Sequence, residues 1–385
     1  SLLTETFASR LNPVEGLSNA EKASYKAKHL TILKEHFIPA YTNLSKALES
    51  LKGSHPEAGG LSTYEHGREY YAYLAAALTG TDSSVDALKT RIEKQMQADL
   101  SEIRVRLKEH PELVRQMTDS AITLSDPDEI LQNLQVQIQD DFPALTDTSY
   151  TLKYVPEALE SSLSPAFFLV PPIDSDGSNT IYINEKASTE QNLYTMLAHE
   201  GYPGHLYQTV YSSLVCDTQT LPIRKLFSYG GYVEGWAYYT ERISYEYAAQ
   251  VLAEAEGSLG SSYPAALLCT LLAQQRDLQI NLFCLLDLSL HYYGAEESEL
   301  LRSLESFGLS EEQSERIYDY LRTAPAVYLK YYVGYLEMNA LKKRAELQWS
   351  DNFSLLRFHR FVLEAGPSDF ENLTKRLKQT AAKTG

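Results

Sequence analysis

Three observations predict a mainly α-helical fold with one small β element. Apolar residues recur at three- and four-residue spacing over long stretches, the pattern of helices that bury one stripe. One stretch, "SPAFFLVPPIDSDGSNTIYIN" (164–184), departs from it with two short β-favouring runs around turn residues. No internal repeat, low-complexity tract or glycine-serine linker divides the 385 residues. One helical domain over 1–385 is the simplest organisation, with scaffold helices in 1–160 and a functional half in 161–385.

Taken in order, "SNAEKASYKAKHLTILKEHFIPAYTNLSKALESLK" (18–52) and "SSVDALKTRIEKQMQADLSEIRVRLKEHPELVRQM" (83–117) read as packed helices with solvated charges between their apolar positions. Between them "GLSTYEHGREYYAYLAAALTGTD" (60–82) is tyrosine-rich and opens on loop signals. The runs "AFFLV" and "NTIYIN" form a hairpin closed by Asp-Ser-Asp-Gly, with an outer edge free to pair with an extended peptide. Ser188 with Gln191 three residues on suggests a capping box that starts a helix running into His199 and Glu200. "GGYVEGWAYYTERISYEY" (230–247) is helical after two glycines. The apolar run 263–294 contains Arg276, Asp277 and Asp287, so it reads as a buried helix and not a membrane span.

Composition removes several functions. A net charge of -17 leaves no clustered Lys and Arg to displace counterions, which excludes nucleic acid as a partner. Cys216, Cys269 and Cys284 form no C-x-x-C pair, so neither a disulfide framework nor a thiolate zinc site is indicated. No P-loop, GxSxG elbow or GxGxxG is present. The opening "SLLTETFASR" shows no signal peptide. The 28 tyrosines are the one compositional excess, and tyrosine suits the walls of wet clefts.

The chemistry concentrates in "MLAHEGYPGHLYQ" (196–208). On a continuous helix, residues six apart are rotated by about 600° and separated by about 9 Å, so His199 and His205 could not share an ion. Pro203, however, cannot donate to the carbonyl of His199 and crowds it, while Gly201 and Gly204 tolerate unusual dihedrals. Two outcomes remain open: a bulge that returns His205 beside His199 with Glu200 adjacent as proton acceptor, or a helix end whose histidines make ordinary hydrogen bonds. Downstream, Glu234, Tyr238, Glu241 and Tyr245 share one side of the 230–247 helix, and Glu234 lies within an aromatic run. Two histidines and a glutamate with an open fourth position are the ligand set of catalytic zinc.

"HEGYPGHLYQ" followed by "EGWAYY" resembles the signature of the bacterial domain-of-unknown-function family 885, whose members are similar to gluzincin-type zinc metallopeptidases. The resemblance extends over roughly 35–380 through "GLSTYEHGREYYAYLAAALTGTD", "DLSLHYYG" (287–294), "APAVYLKYYVGYLEMNALKKRAE" and "FHRFVLEAGP". It implies a multi-helix zinc-peptidase-like domain with its small β element beside the active-site helix. It implies Zn2+ held by His199, His205 and Glu234, with Glu200 as general base. Family chains are generally longer at the amino end, so an N-terminal segment is expected to be missing here. The family segment with Gly two residues before the His has Ser289 before His291 in this chain.

Peptide hydrolysis also needs a donor for the oxyanion. The family's tyrosine three residues before a glycine falls on Tyr331 within "YLKYYVGY" (328–335), with His291 as second choice. The function expected is hydrolysis of extended oligopeptides by metal-activated water, the peptide lying along the edge of "NTIYIN". The alternative is a peptide-binding protein that keeps the cleft without the chemistry. Envelope-associated family members suggest an exported protein, the cytoplasm being the alternative.

Overall fold

The computed structural model describes residues 2–54, 59–119, 122, 124–145, 148–172, 178–189, 191–216, 224, 226–255 and 263–381. It is mainly α-helical with one three-stranded sheet. The chain forms two compact units, Ser1–Ala58 with Pro156–Ser161, and Gly59–Val155 with Ser162–Gly385. Residues 59–155 of the expected scaffold half belong to the larger unit.

The smaller unit contains α1 (Leu2–Leu11), α2 (Asn19–Ile32) and α3 (Ile38–Glu49). Ser18 and Glu21 form a capping box at the start of α2, the reciprocal arrangement that satisfies two orphan amides. The helical stretch expected over 18–52 is formed by α2 and α3 with a π-turn at Leu33–Phe37 between them. Pro39 follows it and has no N–H for the carbonyl one turn back, so the ladder widens there.

The larger unit begins with α4 (Gly67–Thr79), α5 (Val85–Glu109), α6 (Leu113–Asp119) and α7 (Pro127–Gln137). Strands β1 (Tyr150–Tyr154), β2 (Ala166–Leu169) and β3 (Asn179–Ile183) follow. The remaining helices are α8 (Leu193–Glu200), α9 (His205–Cys216), α10 (Gly230–Ala255), α11 (Tyr263–Leu288), α12 (Glu297–Ser306), α13 (Glu311–Thr323), α14 (Val327–Trp349), α15 (Leu355–Ala365) and α16 (Phe370–Ala381). No helix among the described residues is long and apolar enough to cross a membrane. The charges in α11 are paired instead: Arg276 with Glu241, Asp277 with Arg242, and Asp287 with Tyr71.

β2 and β3 pair antiparallel, as the hairpin requires, with Phe168 opposite Ile181. The expected turn at 174–177 lies outside the described residues. β1 also pairs with β3, in parallel, giving the order β1-β3-β2. β3 is therefore the central strand, and both edges of "NTIYIN" are covered; among the described residues the edge beside α8 that no strand pairs with belongs to β2.

Glycine decides how closely α10 and α14 cross. A Cβ at Gly235 would stand 2.5 Å from the carbonyl carbon of Gly334, and one at Gly334 2.2 Å from the carbonyl oxygen of Gly231. Real Cβ atoms do not approach backbone so closely, and only glycine lets the two helices meet main chain to main chain. That contact carries Glu234 of α10 alongside Lys330 and Tyr331 of α14.

Candidate metal centre

α8 opens at Asn192 and not through a Ser188–Gln191 box: Ser188 Oγ donates to the Asn184 carbonyl and Gln191 Nε2 to that of Met117. The helix then runs through His199 to Glu200 as expected. Gly201 leaves the helical region at φ -109, ψ -96, and α9 begins at His205. Between them the amide of Gly204 reaches back to Ala198 O at 2.9 Å and that of Tyr207 to Gly201 O at 3.1 Å. Bonds spanning six residues absorb the extra length that an ordinary turn would spend on rotation. A Cβ at Gly204 would lie 1.8 Å from the His199 carbonyl oxygen, so the loop closes only with glycine there. Trp236 Nε1 donates to the Pro203 carbonyl at 2.9 Å and ties the bend to α10.

The bend brings the histidines together. Their ring centroids are 4.9 Å apart with planes at 85°, and His199, Glu200 and His205 offer ligand atoms all within 4.8 Å of one another. Glu234 joins from α10. Its Oε2 lies 3.3 Å from Nε2 of His205 and 3.8 Å from Nε2 of His199. That oxygen is buried without a hydrogen-bond partner, whereas Oε1 accepts from Lys330 Nζ at 2.9 Å.

His199 Nδ1 faces Glu241 Oε2 at 3.0 Å, and Glu241 Oε1 accepts from Arg276 Nε at 2.9 Å. Burial pushes Glu241 up, but Arg276 and His199 override it and hold the carboxyl down at about 2. An ionised acceptor at Nδ1 assigns the proton to that nitrogen and leaves Nε2 to face Glu234. With no cation bound, burial pushes His199 down while Glu234 and Glu241 outweigh it, raising the imidazole to about 10. Burial likewise pushes Glu234 up, and the two histidines with Lys330 bring it below the usual carboxylate range.

This donor set fits a divalent cation. Two ligand atoms each about 2.0–2.1 Å from a tetrahedral zinc stand about 3.3–3.4 Å apart. The 3.3 and 3.8 Å separations between Glu234 Oε2 and the two Nε2 atoms approach that figure. A second carboxylate holding the remote nitrogen of a ligating histidine is the usual outer support of such a centre.

Two further groups border the cluster. Glu200 Oε2 accepts from the amide of Phe168 at 2.8 Å. The Tyr331 ring stacks toward His199 at 6.2 Å and 25°, and burial together with Glu234 and Glu200 raises its phenol well above the ordinary range, so it remains a proton donor.

His291 is not brought to this cluster. It is 1% exposed in a π-turn at the end of α11, where Nδ1 accepts from the Leu61 amide at 3.0 Å and Nε2 lies 2.9 Å from the Leu321 carbonyl. Both nitrogens are spent on backbone, so the expectation that His291 donates to a substrate is corrected. Glu241 carried a signal in the sequence, since it shares the Glu234 side of the helix. Arg276, Lys330 and the Phe168 amide carried none, because each arrives from a separate element.

The chain belongs to the bacterial family of unknown function DUF885, whose family profile matches residues 2–377. No curated protein matches it. Among solved structures it is similar to a "putative lipoprotein" from Colwellia psychrerythraea, at 20% identity and a TM-score of 0.81, covering 99% of this chain and 66% of that one. It is also similar to a "putative lipoprotein of unknown function" from Shewanella oneidensis, at 19% identity and a TM-score of 0.61, covering 97% and 69%. At these identities the likeness is one of fold. The chain spans about two thirds of the length of each.

Proposed function

We propose that the protein is a zinc-dependent peptidase acting on extended peptides. The observation that carries this reading is the bare, buried Oε2 of Glu234 turned toward the Nε2 atoms of His199 and His205. A buried carboxylate oxygen between two imidazole nitrogens needs positive charge beside it, supplied by the imidazoles when protonated or by a divalent cation held among the three. His199, His205 and Glu234 would hold zinc, which when bound acidifies water and polarises a carbonyl.

The chain's own groups do the rest. Glu200, anchored by the Phe168 amide, accepts the proton of the attacking water and passes it to the leaving amine. Tyr331 donates its hydroxyl to the oxygen that gains negative charge. Phe168 stands opposite Ile181 of β3 yet gives its amide to Glu200, so alternate residues along β2 turn their main-chain groups outward. A peptide laid on that edge would meet Glu200, which moves the expected substrate strand from β3 to β2. Solved relatives described as lipoproteins support an envelope location, which cell fractionation would test.

Metal analysis of purified protein together with peptide turnover tests the reading. About one zinc per chain is expected, with hydrolysis of short peptides lost on chelation and restored by zinc. Protein that takes up no zinc, or takes it up and hydrolyses no peptide in a broad library, overturns the peptidase assignment.

A further inference from the structure

Lys330 was not among the candidates named from the sequence, yet it touches two of them. Its ammonium is 2.9 Å from Glu234 Oε1 and 5.0 Å from the centre of the Tyr331 ring, and its side chain is 22% exposed. The stem is seated as well as the head. Gly230 lies one helical turn before Glu234 on α10, and a Cβ there would stand 3.3 Å from Lys330 Cδ and 3.5 Å from Lys330 Cβ. Positions four apart share a helix face, so α10 presents a gap for the aliphatic stem and a carboxylate for the charge. The result is a division of labour within one carboxylate: Oε1 is held by a cation, and Oε2 is left bare toward the histidines.

Resting on the reading of His199, His205 and Glu234 as a zinc centre, we propose that Lys330 is a positioning residue that restricts Glu234 to one-oxygen ligation and steadies the Tyr331 ring. Carboxylates bind cations through one oxygen or two. A catalytic zinc site needs three protein ligands and one open position. If Oε1 were released it would compete for that open position, where water and the substrate carbonyl must come. Lys330 prevents this by occupying Oε1, and its positive charge also opposes tight binding of the ion. The arrangement therefore favours an open, reactive centre over the highest affinity.

This has a signature that a loosened fold would not produce. Removing the ammonium frees Oε1, removes a like charge and destabilises the ion-free state, and all three effects strengthen metal binding. Lys330→Met, with Lys330→Gln as a second uncharged variant and Lys330→Arg as the conservative one, would be measured by zinc competition against a chelator. The visible spectrum of cobalt-loaded protein reports coordination directly. We expect Met and Gln to bind zinc about tenfold tighter, with weaker cobalt bands as Oε1 adds a ligand and raises the coordination number, while Arg retains the wild-type affinity and spectrum. Unchanged or weaker zinc affinity with an unchanged cobalt spectrum in both uncharged variants overturns the role of Lys330 alone. A wild-type chain that takes up neither zinc nor cobalt overturns the metal centre itself, and the proposal with it.

Discussion

Two buried clusters in the larger unit each combine histidine, carboxylate and tyrosine, and they end in opposite states. Around His291, both ring nitrogens meet backbone, Asp287 accepts from the Ala326 amide at 3.0 Å and from the Tyr71 hydroxyl, and Tyr71 stacks on the imidazole at 5.6 Å. Around His199, Glu234 Oε2 completes no hydrogen bond of good geometry among the described residues and faces the Nε2 atoms of both histidines. The residue types are the same, and the difference lies in whether valences close. A closed cluster fixes helices relative to one another; an open one is prepared for something not in the chain. The His291 cluster fastens Leu61, the end of α13 and the start of α14, where Ala326 takes φ 63.

The largest effect should separate the two clusters outright. His205→Ala is expected to reduce zinc from about one per chain to near none, because three protein ligands are the minimum of a catalytic site. His291→Ala should leave zinc unchanged and instead lower stability by about 2–4 kcal/mol in denaturant titration, by orphaning one amide and one carbonyl. Zinc loss in His291→Ala with the fold intact would erase the distinction.

Next in size is Glu200→Gln, which keeps the hydrogen bond from Phe168 within reach but removes the base. Turnover should fall by about 10²–10⁴-fold with zinc retained. Equal turnover would remove Glu200 from the chemistry and leave it a partner of β2.

Tyr331→Phe should lower kcat by about 10²-fold with little change in KM, the mark of a donor used only when the oxyanion forms. Steady-state kinetics that show an effect on KM alone would make Tyr331 a packing residue of α14.

The last test is a pH dependence in the closed cluster. Burial is the largest influence on Asp287 and raises it to about 7, against the opposing hydrogen bonds from Tyr71 and Ala326. Unfolded, the carboxyl returns to about 3.9. A raised carboxyl binds its proton in the fold, so its contribution to stability is full below about pH 4 and declines as pH rises towards 7. The difference in Tm between wild type and Asp287→Asn should change over that window and level off above it. A flat difference would mean that Asp287 titrates normally.

Much of this was legible locally. The helices announced themselves by apolar period, and the β2–β3 pair by β-branched and aromatic runs around turn residues. β1 was not legible: its partner lies far along the chain, and a parallel pairing leaves no turn between the two strands to read. α8 starts at Asn192 and not through Ser188 because Ser188 Oγ has a competing acceptor in the Asn184 carbonyl.

By itself the sequence determined that His199 and His205 sit on either side of a broken helix, since Pro203 and two glycines act on the backbone within a few residues. It also determined that Glu234 and Glu241 share one helix face, since that follows from the pitch alone. Only the tertiary structure decided which acids and histidines met. The glycine contact of α10 with α14 delivered Lys330 and Tyr331, α11 supplied Arg276 to Glu241, and β2 supplied its amide to Glu200. His291 was claimed by Leu61 and Leu321. Local backbone chemistry is encoded in neighbouring residues; the satisfaction of a buried polar atom depends on groups from 30 to 230 positions away, and no spacing rule reports it.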